Sequence, residues 1–250
     1  MRHILITTVL CLAGCFRKAP EYNQYTTVTH ELLDSLLKQH VDEDGMVSYE
    51  GFAKDYEILK RYLSQLSENP PSESWSEDEK LAYWINAYNA FTIDLILRYK
   101  PTQSIKDITA INIPFVSSPW QIDFIEIGGS TYNLDDIEHG IIRRNFNEPR
   151  IHFALVCAAY SCPKLRREAY QAVMLNRQLT SQAFGFLADV KRNQITPDNL
   201  KISRIFQWYG GDFTHDRSLI DYLNQYAPMT IQGNARVEYM EYDWRLNTQE

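Results

Sequence analysis

Cys157 and Cys162, in Cys157-Ala-Ala-Tyr-Ser-Cys162-Pro163, are the residues of this chain best suited to covalent chemistry. A thiol becomes a nucleophile when it ionises, and a paired histidine promotes that. The apolar run from Phe153 to Val156 reads as a buried strand that ends at Cys157, with Ser161-Cys162-Pro163 closing it. On a regular strand His152, Ala154 and Val156 share one face, and Phe153, Leu155 and Cys157 share the other. His152 is then not the partner of Cys157. His139, in Glu138-His139, is the better-placed general base. Adjacent helical residues lie about 100° apart, so only one of Glu138 and His139 can point directly at a given spot.

Other readings of the same residues stay open. Cys157 can be a plain buried core thiol. Cys157 and Cys162 can pair if the chain lies outside the cytoplasm. A zinc site from both cysteines and a histidine lacks a clear fourth ligand. Asn86 and Asn89 share a helix face. A buried amide without partners costs about 1–3 kcal/mol, so each must brace backbone, orient a catalytic group or hold a substrate carbonyl. Trp208, Tyr209, Tyr242 and Trp244 can line an aromatic groove.

These residues need a scaffold. Apolar spacing predicts helices over 28–39 and 50–66. Ser76-Glu77-Asp78-Glu79 is a capping box that opens a helix over 77–99, apolar almost all round and therefore central. Residues 121–127 read as a strand, and Gly128-Gly129 as a hairpin turn into Thr131-Tyr132. Asn133 can cap a helix over 134–144, which carries Glu138 and His139. Helices over 165–172, 175–191, 205–209 and 218–225 follow, with a short hairpin at 195–202 and a closing strand over 236–242. The pattern is a helix-rich α+β single domain around a small, mainly antiparallel sheet. Asp42-Glu43-Asp44-Gly45 is a turn; an EF-hand reading fails because position twelve would be Gly51, not Glu.

The start of the chain reads differently. Met1-Arg2-His3 is a positive segment, Ile4–Ala13 an apolar one too short to span a bilayer, and Leu12-Ala13-Gly14-Cys15 looks like a bacterial lipobox. The expectation is a lipoprotein signal peptide over 1–14, a lipidated tether over 15–27 beginning at Cys15, and one domain over 28–250. Two acyl signals on Cys15 would anchor the chain stably to a membrane. The location expected is the bacterial cell envelope, at the outer membrane facing the periplasm in a Gram-negative host. The net charge of -7 over 250 residues, with no Lys/Arg block, excludes an electrostatic footprint for nucleic acid.

The motifs together resemble the domain of unknown function 547 family. They are Gly45-Met46-Val47-Ser48-Tyr49, Trp84-Ile85-Asn86-Ala87-Tyr88-Asn89-Ala90, Leu134-Asp135-Asp136-Ile137-Glu138-His139, Arg150-Ile151-His152-Phe153-Ala154-Leu155-Val156-Cys157, Ser161-Cys162-Pro163, Ile205-Phe206-Gln207-Trp208-Tyr209, Asp212-Phe213 and Tyr242-Asp243-Trp244-Arg245-Leu246-Asn247. The family name establishes no activity. Its plant members carry serine at the place of Cys162, which implies that Cys157 is the better nucleophile and weakens the zinc and disulfide readings. By analogy, Asn86, Glu138, His139 and Cys157 imply a cysteine-protease-like Cys–His–Asn arrangement in permuted order.

The resulting expectation is a lipid-anchored envelope protein with a cysteine-hydrolase-like site acting on an amide or other acyl bond of a peptide or cell-envelope substrate. Cys157 is the nucleophile, His139 the base, and Asn86 or Glu138 the orienting group, with the Ala158 and Ala159 amides as an oxyanion hole. Asn89, Arg150, His152, Trp208 and Tyr242 are binding candidates, and neither a metal nor a cofactor is called for. The alternative is a non-catalytic envelope binding module with an aromatic groove.

Overall fold

The computed structural model describes residues 27–111 and 116–249. The expected signal peptide, Cys15 and nearly all of the tether lie outside them. No described helix is long and apolar enough to cross a membrane.

Helix α4, Glu77–Tyr99, organises the fold. Its capping box forms as read: Ser76 N–H donates to the Glu79 carboxylate at 2.7 Å, and Glu79 N–H donates to Ser76 Oγ at 3.3 Å. Every residue from Leu81 to Ile96 is buried. Helices α2 (Tyr49–Lys54) and α3 (Tyr56–Glu68) pack against α4, and α1 (Glu31–His40) packs on α2 and α3. The single helix expected over 50–66 is broken at Asp55. That carboxylate is hydrogen-bonded by buried His40, Nε2 to Oδ2 2.8 Å, which fixes the break.

Strands β1 (Ile125–Ile127) and β2 (Ser130–Tyr132) form an antiparallel hairpin. Gly128 and Gly129, with φ of 62° and 78°, make the turn that only positive φ at both positions allows. The expected strand thus begins at Ile125 rather than 121, and Pro119–Gln121 is a 3₁₀ turn.

The second sheet has order β3-β4-β5. Strands β3 (Gln194–Ile195) and β4 (Asn199–Ile202) are antiparallel, and β5 (Arg236–Tyr239) joins β4 in parallel. Helix α5 (Arg143–Asn145) ends the segment after Asn133. Phe153, Phe186, Phe206 and Phe213 form a second apolar cluster, to which α6 (Leu175–Ala188), α7 (Ile205–Trp208) and α8 (Gly210–Phe213) contribute. Helix α9 (Leu219–Leu223) adds Tyr222 and Leu223.

Two expected elements do not form. The stretch before Cys157 is no strand: Pro149–Phe153 is a 3₁₀ helix, and Leu155–Cys157 lies in no strand. The Asn89 side chain stands in for the missing neighbour. Its Nδ2 donates to Ala154 C=O at 2.9 Å, and its Oδ1 accepts from Val156 N–H at 3.0 Å. Likewise 165–172 is no helix. Asn86 Nδ2 donates to Tyr170 C=O at 2.8 Å, Asn86 Oδ1 accepts from Tyr170 N–H at 2.9 Å, and Gln178 bonds the backbone of Ala169 and Gln171. Amides on helices α4 and α6 thus satisfy buried backbone that would otherwise have to fold into ladders.

Candidate functional site

A cavity of about 240 Å³ opens where α4, the helix after Asn133 and the C-terminal segment meet. Residues Asp136–Ile142 of that helix are π-helical, closing on an Arg143 N–H to Glu138 C=O bond. A π-turn places side chains differently from an α-turn, and such segments cluster at functional sites. Asp135, Glu138 and His139 accordingly all line the cavity, against the α-helical expectation that Glu138 and His139 diverge.

Glu138 is buried. The hydroxyls of Tyr88 and Tyr209 face its carboxylate. Burial first, and then the charge of Glu138, holds the protons on both phenols far above their ordinary range. Asp135 is half-buried, and its carboxyl is pushed up by burial.

Among the described residues, no hydrogen bond joins His139 to either cysteine. Arg143 Nη1 donates to its Nδ1 at 3.1 Å, and Asp135 Oδ1 lies 4.0 Å from its Nε2. An arginine nitrogen only donates, so Nδ1 is the accepting nitrogen and the ring proton sits on Nε2.

His152 joins the site, contrary to the strand-based expectation, because the 3₁₀ turn abolishes strand alternation. It lines the same cavity as Cys157, stacked on Tyr209 with ring centroids 3.9 Å apart. Its Nε2 meets Asp212 Oδ2 at 2.7 Å, and Arg143 bonds both Asp212 oxygens at 2.7 and 2.9 Å. Burial pushes the His152 imidazole down, opposed by Asp212. The hydrogen bond from His152, with help from Arg143, holds Asp212 well below the usual carboxylate range.

Cys157 and Cys162 are joined in a disulfide. Cys157 is therefore not a free thiol in this state of the chain. The bend after Cys157, with Ala158 at φ 61°, brings the two cysteines together. Both line the cavity, with the Tyr242 hydroxyl 3.2 Å from Cys162 Sγ and 3.5 Å from Cys157 Sγ. Trp120, Trp208, Tyr209, Tyr242 and Trp244 form the aromatic wall. Trp208 and Trp244 stack at 5.8 Å, and the Lys106 ammonium lies 3.4 Å from the Trp244 ring centroid.

The remaining candidates fall elsewhere. Asn86 and Asn89 are spent on backbone, and neither lines this cavity. Arg150 is tied to Glu148, Asn176 and Thr180, away from the cavity. Tyr88, Asp135, Trp120, Arg143 and Asp212 also belong to the site without being candidates from the sequence. Tyr88 lies between the candidate asparagines Asn86 and Asn89, and Asp212 lies in a family motif. Arg143 carried no signal.

Fold and cavity define a helix-rich α+β domain with an aromatic, acid-floored pocket. Residues 72–187 match the model of the family described as "Protein of unknown function, DUF547". The match is narrower than the motif resemblance. Glu138, His139, His152 and both cysteines fall inside it, whereas Trp208, Tyr209, Tyr242 and Trp244 lie beyond it. No curated protein and no solved structure matches the chain.

Proposed function

We propose that the protein is a binding module whose cavity takes a small cationic group, such as a protonated amine on a small molecule or on a peptide. One observation carries this: among the described residues, the lining holds two carboxylates, Asp135 and Glu138, within an aromatic wall, and no lysine or arginine. Aromatic faces attract cations by about 0.5–2 kcal/mol, more where water is excluded. Glu138 supplies the countercharge, oriented by Tyr88 and Tyr209. The cavity lies below the roughly 300–1,000 Å³ of pockets for drug-sized ligands. A side-chain-sized group is therefore its occupant.

The test is a tryptophan-fluorescence titration with n-butylammonium, n-butanol and butyrate. The ammonium should bind about ten-fold tighter than the alcohol. Butyrate should not bind. Equal affinity for all three contradicts the proposal.

A cysteine hydrolase acting on amide or acyl bonds is the second reading, and it belongs to the dithiol form. What favours it is that Cys157, Glu138 and His139 line one cavity. It requires His139 to give up its bond from Arg143.

We place the domain at the bacterial envelope, on a lipidated Cys15. The Leu12-Ala13-Gly14-Cys15 pattern supports this, and the disulfide suits an oxidising compartment. Metabolic labelling with a clickable fatty acid should disappear in Cys15→Ser; labelling that persists refutes the anchor.

A further inference from the structure

We propose that the Cys157–Cys162 disulfide is a redox-active pair that exchanges with thiols entering the cavity, with Cys157 the attacked sulfur and Cys162 the leaving thiolate. The inference goes beyond cation binding and does not depend on it.

Three features carry it. The disulfide forms part of the wall of an open cavity. The two sulfurs are unequal in access: Cys157 is half-buried, while Cys162 is 1% exposed. They are also unequal in polar support. Cys162 Sγ is within reach of two donors, the Cys157 N–H at 3.1 Å and the Tyr242 hydroxyl at 3.2 Å. For Cys157 Sγ the same hydroxyl stands at 3.5 Å. Burial keeps Tyr242 protonated and therefore able to donate. Exchange is fastest when the leaving thiolate is stabilised. Here the stabilised sulfur is the sheltered one, and its partner faces the incoming reagent.

The step balances as follows. A substrate thiolate, its proton lost to water, forms a bond to Cys157 Sγ. The Cys157–Cys162 bond breaks, and its electron pair stays on Cys162 Sγ, held by the Cys157 N–H and Tyr242 O–H. A second thiolate of the same substrate then attacks the substrate sulfur of the mixed disulfide and expels Cys157 as thiolate. The substrate dithiol is oxidised by two electrons, and the protein pair is reduced by two. Both protein thiolates take protons from water. The substrate class is a dithiol, such as a peptide with two neighbouring cysteines.

The full chain, folded, is treated with 2-mercaptoethanol, acid-quenched and mapped by mass spectrometry. The reagent is uncharged, so the outcome does not rest on the cation reading. The adduct should form on Cys157 and not on Cys162, and Tyr242→Phe should slow its formation about ten-fold. An adduct that forms only after denaturant unfolds the chain, or equally on both cysteines, overturns the proposal. Cys157→Ala provides a second readout that does not require Tyr242→Phe to fold. The lone Cys162 should be alkylated by iodoacetamide with a pH midpoint below the ordinary thiol value of about 8.5. A midpoint at or above that value also overturns it.

Discussion

The His152 imidazole lies on the Tyr209 ring with centroids 3.9 Å apart and planes 21° from parallel. This contact joins the two halves of the site. Asp212 fixes His152, His152 fixes the face of Tyr209, and the Tyr209 hydroxyl faces Glu138. His152→Ala should therefore weaken amine binding several-fold although His152 itself contributes no charge to the ligand. The check is calorimetric titration beside a urea melt, which separates loss of binding from loss of folding.

Asn89 holds the segment that delivers Cys157. Asn89→Ala leaves the Ala154 carbonyl and the Val156 N–H unpaired in the core. At about 1–3 kcal/mol for each buried orphan, the variant should lose roughly 2–6 kcal/mol. The shift in urea midpoint measures it. A loss under about 0.5 kcal/mol would show that the clamp is idle.

The exposed edge of the cavity should behave differently. Trp208 is 45% exposed and packs on Tyr242 and Trp244. Trp208→Ala should weaken amine binding by about 0.5–2 kcal/mol. It should leave the thermal midpoint nearly unchanged. A large fall in that midpoint with intact binding would make Trp208 a structural residue.

The Asp212 network sets a pH dependence. Its carboxyl is held below the usual range by His152 and Arg143 in the folded chain, and titrates near about 4 when unfolded. Its contribution is fully present above that pH and is lost as pH falls through the folded value. Asp212→Asn should cost about 1–3 kcal/mol at pH 7. It should also flatten the acid limb of the stability curve. Parallel acid limbs in the two proteins would contradict the assignment.

How much of this is legible in the sequence varies with how local the cause is. The capping box at Ser76 and Glu79 and the Gly128-Gly129 turn are local chemistry, and both form as read. The helix-rich α+β class is likewise correct. The false strand before Cys157 and the false helix at 165–172 share one cause. In each, a side-chain amide from a distant helix satisfies the backbone, and no periodicity encodes that. The same long-range bonds took Asn86 and Asn89 out of the site. Glu138, His139, Cys157, Trp208 and Tyr242 do meet in one cavity. His152 meets them too, because a 3₁₀ turn replaced the expected strand. The pairing of Cys157 with Cys162 depends on the bend at Ala158, a left-handed conformation that alanine does not advertise.

The most direct test of the cation-binding account is calorimetric titration of n-butylammonium into the wild-type chain and Glu138→Gln at pH 7. The substitution keeps the size of the side chain and removes its charge. The account predicts binding by the wild type and a loss of about ten-fold or more in the variant, the scale of a hydrogen bond to a charged group. Equal affinity in the two proteins, both folded, would contradict it.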